Sequence, residues 1–88
     1  MADRKYTITP EQWNKNGKFI QNANCNSITF INKSTDNFPS INGYPLASGE
    51  ALSLNGNENE IDVTTYQVGI DLTVGTPNLW VIRKNFIL

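Results

Sequence analysis

Alternation of apolar and polar residues, which is typical of a half-buried β-strand, recurs along most of this 88-residue chain. The clearest case is residues 66–74, where five apolar side chains fall on one face and polar or small residues fall on the other. Residues 27–32 alternate in the same way, with Ile28 and Phe30 on one face. Both segments are therefore predicted to be strands with one buried face.

A different pattern occupies residues 78–86, which are apolar on both faces. Leu79 and Val81 lie on one side of this predicted strand, and Trp80 and Ile82 lie on the other. A strand with two apolar faces is either central in its sheet or covered by another element. We therefore expect one of these two situations for residues 78–86.

Turn signals separate the predicted strands at intervals of about 8–12 residues. Asn42-Gly43 is the preferred dipeptide of a two-residue hairpin turn, and Gly49 precedes a further predicted strand that carries Leu52 and Leu54. Residues 19–21 form another short predicted strand. Because no helix is long enough for a βαβ crossover, the sequence predicts an all-β fold, a small antiparallel β-sandwich of six to seven strands.

The segment 8–17 instead carries the signals of a short helix. Its local features are an N-cap, a proline at the first helical position, a capping box, a hydrophobic staple and a terminating glycine. The residues concerned are Thr9, Pro10, Gln12, the pair Ile8 and Trp13, and Gly17. We therefore predict an N-terminal arm, residues 1–26, with one short helical turn, followed by the β-sandwich domain, residues 27–88.

The chemistry of the chain excludes several classes of function. It has no histidine and a single cysteine, so an internal disulfide or a Cys/His zinc site cannot form. Cys25 has no basic neighbour that would lower its pKa, and the glycines do not have phosphate-binding spacing. Residues 32–34 match a glycosylation acceptor, a match expected by chance in so asparagine-rich a chain. We therefore expect a protein that is not an enzyme and that needs no cofactor and no metal.

Charge and hydropathy restrict the partners further. The net charge is −1, which argues against a nucleic-acid-binding protein. The longest apolar run, residues 79–82, is far shorter than a membrane helix, so we expect a soluble protein made in a reducing compartment, with no nucleic acid and no membrane as partner.

The most polar segment is NGNENEID, residues 55–62. Its acidic and amide residues lack the ligand spacing of an EF-hand loop, although a calcium site completed from elsewhere stays open. We interpret the segment as a polar crossover between the two halves of the sandwich. Its acidic charge also leaves open a role as a patch for the basic end of a neighbouring subunit.

Charged residues are distributed unevenly along the chain. Residues 34–82 contain six acidic residues and no basic one, whereas both ends are basic. Such a chain could dock the end of one subunit on the middle of another. The predicted assembly contacts are Arg4, Lys5, Trp13, Glu58, Glu60, Arg83, Lys84, Phe86 and Leu88.

The aromatic residues suggest an alternative function. Aromatic rings together with abundant asparagine suit carbohydrate binding, although a packing role is favoured for most of the rings, Tyr66 and Trp80 among them. Phe38 and Tyr44, near the predicted hairpin tip, are the candidate glycan contacts of a carbohydrate-binding or adhesion module.

The block INGYPLASGEALSLNGNENEID, followed by TTYQVGI and NLWVIRKNF, resembles small β-sandwich virion proteins of tailed bacteriophages, in particular auxiliary or decoration proteins of the head. The resemblance covers roughly residues 27–86. It implies a non-enzymatic protein of the virion that binds the major capsid protein or other virion proteins, as a homo-oligomer or in symmetric copies.

Overall fold

The computed structural model describes residues 5–13, 17–57 and 59–87, and all of its regular secondary structure is β. Eight strands run in chain order. They are β1 (Lys5–Trp13), β2 (Gly17–Asn22), β3 (Ser27–Asn32), β4 (Ser40–Ile41), β5 (Tyr44–Pro45), β6 (Ala51–Leu54), β7 (Thr65–Ile70) and β8 (Leu79–Ile87).

The strands form two four-stranded antiparallel sheets. Sheet A has the order β1-β8-β3-β6 and sheet B has the order β2-β7-β4-β5. The predicted fold, an all-β antiparallel sandwich, is confirmed. β8 lies between β1 and β3, so the central position, one of the two predicted alternatives, is confirmed.

Most of the core consists of residues that alternate inward from both sheets, and residues between strands such as Leu46 complete it. Ile28 and Phe30 of β3 and Val81 of β8 are fully buried from sheet A, and Val68 of β7 is fully buried from sheet B. The rings of Phe30 and Tyr66 meet edge to face across the sandwich, with their centroids 5.3 Å apart. For Ile28, Phe30, Tyr66 and Val68, the period-two pattern of the sequence predicted the buried face.

The predicted N-terminal helix is wrong for the part of it that the structure describes. Residues 5–13 form β1, which pairs with β8 at every position from Lys5 opposite Ile87 to Trp13 opposite Leu79. The predicted staple does not form, because Ile8 is 55% exposed while Trp13 packs against the core. Helix-capping signals are local and contribute little free energy. The pairing of nine residues of β1 with β8 therefore outweighs them.

The predicted arm also contributes a strand to each sheet. β1 is an edge strand of sheet A, and β2 is an edge strand of sheet B, where it pairs with β7. Residues 14–16 of the predicted helix lie outside the described residues. The described part of the segment 1–26 therefore belongs to the sandwich itself.

Two turns show how far local patterns predict the backbone. The hairpin at Asn42-Gly43 is confirmed: both residues have positive φ, 49° and 85°, and they join β4 to β5. The predicted strand 66–74, however, ends at Ile70. The Asp71 carboxylate accepts hydrogen bonds from the backbone N–H and the hydroxyl of Thr73, which turns the chain, and Val74 is exposed.

A buried asparagine organises the connection that follows β3. The side-chain amide of Asn32 donates hydrogen bonds to the carbonyls of Asn37 (3.0 Å), Leu46 (2.9 Å) and Ala47 (3.2 Å). Its carbonyl oxygen accepts one from the backbone N–H of Ser34 (2.9 Å). Asn32 is fully buried, so the glycosylation match at residues 32–34 has no accessible acceptor in the folded protein.

Candidate interaction surface

The outward face of sheet A is built by strand alternation. Leu79 and Val81 point into the core, so the alternate residues of β8 point outward, and the strand register places residues of β1, β3 and β6 beside them. We call this surface the outer face of sheet A. Its apolar members are Tyr6, Ile8, Pro10, Ile31, Ala51, Trp80, Ile82 and Phe86.

This surface is unusually apolar for the outside of a small sandwich. Tyr6 and Ile8 are 49% and 55% exposed, and the outward residues of β8 are half-buried by their neighbours in the sheet. No strand of the described chain packs over them. In β4 and β7 of sheet B, the outward positions Ser40, Gln67 and Gly69 are polar or small. Contiguous exposed apolar surface of this kind marks a contact site.

Lys84 is the only charged side chain of the outer face among the described residues. Its Nζ lies 4.4 Å from the centre of the Tyr6 ring and 4.8 Å from that of Phe86, and the two rings meet edge to face. Cation–π attraction holds the ammonium group between the rings. The face therefore offers a partner an apolar surface with one positively charged point.

Arg83, the neighbour of Lys84, points to the opposite side of the sheet. Its guanidinium forms an ion pair with the carboxylate of Glu11 on β1, and the exposure of its side chain is only 18%. The Arg83 Nε is buried without a hydrogen-bond partner among the described residues. Arg83 thus joins β8 to β1 and is not available as a free contact.

The predicted contact residues fall in three groups. Lys84 and Phe86 lie on the outer face of sheet A, and Lys5 is exposed at the start of β1. Trp13 and Arg83 are used inside the fold, and Glu60 lies in the crossover between the sheets. Arg4, Glu58 and Leu88 lie outside the described residues. Of the candidate glycan contacts, Phe38 and Tyr44 are 59% and 52% exposed.

Sequence reasoning missed Tyr6, Ile8, Pro10 and Ile31 as members of this surface. The sequence patterns place Ile8 and Pro10 in a predicted helix and Tyr6 in the arm before it, and Ile31 follows Ile28 and Phe30, which alternate inward. The second apolar face of β8 was the one sequence feature that pointed to this surface. Because β8 is a central strand, its outward residues need apolar neighbours in the sheet or a partner that covers them.

NGNENEID joins β6 of sheet A to β7 of sheet B, which confirms its interpretation as a crossover. Buried Asn26 anchors this crossover. Its side-chain amide donates hydrogen bonds to the carbonyls of Asn57 (3.2 Å) and Glu60 (2.7 Å), and its Oδ1 accepts one from the Phe86 N–H (2.7 Å).

An open cleft of about 390 Å³ lies beside the crossover. Among the described residues, no group of three or more Cys, Asp or Glu side chains is arranged to hold a metal ion.

Two titratable side chains that line this cleft, Asp62 and Tyr66, are hydrogen-bonded to each other. The Tyr66 hydroxyl donates a 2.5 Å hydrogen bond to Asp62. Burial, and then this bond, raise the pKa of Tyr66 to about 12. Burial acts to raise the pKa of Asp62, but hydrogen bonds from the side chains of Thr64 and Tyr66 outweigh it and lower that pKa. Burial and the nearby Asp62 raise the pKa of Cys25, so its thiol is protonated and poorly reactive.

Tyr66→Phe is expected to lower the free energy of unfolding by about 1–2 kcal/mol at pH 7, because a hydrogen bond to a carboxylate is lost while ring packing stays. The folded pKa of Asp62 lies below its unfolded value, so this contribution is present above about pH 4 and is lost as pH falls through the folded pKa. The gap between variant and wild type should therefore narrow in acid, as followed by denaturant unfolding.

The exposed Tyr44 supplies the control, since Tyr44→Phe should change stability little at any pH. Above pH 10 the wild type and Tyr44→Phe, which both keep Tyr66, should lose more stability than Tyr66→Phe does, because the folded pKa of Tyr66 is about 12 and this side chain ionises first in the unfolded chain. A gap that stays constant from neutral to strongly acid pH would contradict the assignment.

Comparison with known proteins adds no relative: no family model, curated protein or solved structure matches this chain. The described residues contain no helix of the length and hydrophobicity that a membrane span requires.

Proposed function

We propose that this chain is a non-enzymatic structural protein of a bacteriophage virion, which binds the capsid as an auxiliary or decoration protein in symmetric copies. The observation that carries a contact function is the outer face of sheet A, which is apolar, contiguous and uncovered by the described chain. The assignment to a virion is supported by the resemblance of residues 27–86 to head proteins of tailed phages.

The outer face suits such a role physically. Half-buried Trp80, Ile82 and Phe86 are held in position by a central strand, so they lose little conformational freedom when a partner covers them. Lys84 at one end would select a partner that presents a carboxylate to it. One such patch is small, but repetition by capsid symmetry multiplies weak contacts into stable attachment.

Particle composition tests the proposal. Virions made by the phage whose genome encodes this chain would be purified, and the chain quantified by mass spectrometry and located by electron cryomicroscopy. We expect a fixed ratio to the major capsid protein and density on the particle with the outer face of sheet A at the contact. An early, non-virion protein of the same phage is the control for carry-over, and particles with no more of this chain than of that control would overturn the proposal.

Deletion of residues 1–17 is a poor test, because it would remove β1 and the first residue of β2 from the two sheets. Point substitutions on the outer face are the cleaner choice.

A carbohydrate-binding or adhesion module is the second candidate, favoured by one observation: the Phe38 and Tyr44 side chains are both more than half exposed. Specific retention on a glycan array that is lost in Tyr44→Ala would support this function, whether or not the protein is displayed on a virion.

A further inference from the structure

The backbone of β1 has one side without a strand beside it. The Lys84 carbonyl accepts the Asn26 N–H (3.0 Å), and the Phe86 N–H bonds to the Asn26 side chain (2.7 Å), so even-numbered residues of β8 turn their backbone groups towards β3. Odd-numbered residues of β8 then face β1, and they pair with Lys5, Thr7, Thr9, Glu11 and Trp13. The even-numbered residues of β1 therefore direct their N–H and C=O groups away from the sheet, on what we call the free side of β1.

Proline placement agrees with this orientation. Pro10 has no N–H to donate and is tolerated in a sheet where that position faces away from the neighbouring strand. No strand of the described chain pairs with the free side. It therefore presents the N–H groups of Tyr6, Ile8 and Gln12 and the carbonyls of these residues and of Pro10. An edge of this kind is a template for another strand.

We propose that the free side of β1 pairs antiparallel with β1 of a second copy of this chain, about a two-fold axis at Ile8. Ile8 then lies opposite the second copy's Ile8, and each exchanges its N–H and C=O with the other. Tyr6 lies opposite the second copy's Pro10 and donates its N–H to that carbonyl. The two sheets join into one antiparallel sheet of eight strands.

Charge complementarity selects the second copy and this register. With the axis at Ile8, each Lys5 stands opposite the second copy's Glu11, so two pairs of opposite charge form. An axis at Thr7 would place Lys5 opposite Thr9. An axis at Thr9 would place Lys5 opposite Trp13 and leave Glu11 opposite Thr7. Glu11 can accept a further cation, because a carboxylate has more acceptor sites than the Arg83 and Trp13 contacts use.

Side chains on the outward face also match. Antiparallel pairing brings Tyr6 against the second copy's Pro10 and Ile8 against its counterpart, so the outer faces of the two copies of sheet A become continuous. This inference does not depend on the virion proposal, because it concerns the purified protein alone.

Disulfide trapping tests the register. Thr7 and Thr9 are exposed, and each would occupy a non-hydrogen-bonded pair with the other residue of the second copy, where Cα atoms approach to about 4.5 Å. Under mild oxidation, a mixture of Thr7→Cys and Thr9→Cys proteins should form a covalent heterodimer, whereas Thr7→Cys alone should not. Wild type, which retains the buried Cys25, is the control.

Efficient linkage of Thr7→Cys to itself would overturn the proposed axis, because it would place the two-fold at Thr7. Absence of linkage in the mixture would overturn the pairing altogether.

Proline scanning tests the backbone contact without relying on side chains. Ile8→Pro removes the N–H at the centre of the proposed contact, and Pro10 shows that the free side accepts proline, so the monomer should stay folded by circular dichroism. Its dimer dissociation constant in analytical ultracentrifugation should rise roughly tenfold or more, since two central hydrogen bonds are lost. Ile8→Val keeps the N–H and should dimerise like wild type. A wild type that is monomeric at all concentrations, or a folded Ile8→Pro protein that dimerises normally, would overturn the proposal.

Discussion

Asn32→Ala is expected to remove a large part of the protein's free energy of unfolding. The substitution removes three hydrogen bonds that the buried amide donates to the Asn37, Leu46 and Ala47 carbonyls and one that it accepts from Ser34. It leaves those groups buried with fewer partners and adds a small cavity, at a cost of about 3–5 kcal/mol. A domain of this size has a total stability of only about 4–13 kcal/mol. Chemical denaturation followed by circular dichroism measures the loss.

Two further variants separate the hydrogen bonds from the volume of the side chain. Asn32→Asp keeps the shape and the acceptor oxygen but turns a carboxylate towards three carbonyls, so it should be at least as destabilising as alanine at neutral pH. Asn55→Ala, at an exposed asparagine after β6, should change stability by less than about 0.5 kcal/mol. A stable Asn32→Asp protein at pH 7 would show that the amide donor is not what holds this connection.

Ile82→Asp should leave the protein folded and, under the function proposed above, should strongly weaken attachment to virions. Ile82 lies at the centre of the outer face of sheet A, between Pro10 of β1 and Thr29 of β3, and it is half-buried in the isolated chain. A carboxylate there stays hydrated in the free protein, but a partner that covers the face would have to bury it unpaired. We expect a loss in affinity of at least about 100-fold, which corresponds to roughly 2.7 kcal/mol. Co-sedimentation of the purified variant with particles that lack the protein measures it.

The matched control is Gln67→Asp, which adds the same carboxylate to the polar outward side of sheet B. It should attach normally and should unfold at the same denaturant concentration as wild type, within experimental error. Equal loss of attachment in both variants would indicate a general effect of negative charge, and undiminished attachment of Ile82→Asp would remove the outer face of sheet A from the contact.

Strands with one buried face were predictable because their pattern is local. Ile28 and Phe30, and Tyr66, Val68 and Ile70, fall in the core as their alternation requires. The hairpin at Asn42-Gly43 was equally predictable, since few dipeptides accept two consecutive positive φ angles. In each case the residues that determine the structure are adjacent in sequence.

Residues 5–13 show where this reasoning fails. Thr9, Pro10 and Gln12 fit a helix start locally, but the segment is a strand because β8, about 70 residues further along the chain, provides nine partners for it. In the sequence, Asn32 likewise resembles a surface asparagine. It is buried because the chain folds back at residues 46–47, whose carbonyls accept hydrogen bonds from its side chain.

The sequence by itself determined the all-β class, the strands with one buried face, the tight hairpin and the apolar character of β8 on both faces. Only the tertiary structure decided that β1 lies beside β8, that Arg83 pairs with Glu11 while Lys84 points outward, and that no described strand covers the second face of β8. The physical reason is that alternation records which side of a strand is apolar, whereas the neighbour of each strand depends on hydrogen bonds between residues far apart in the chain.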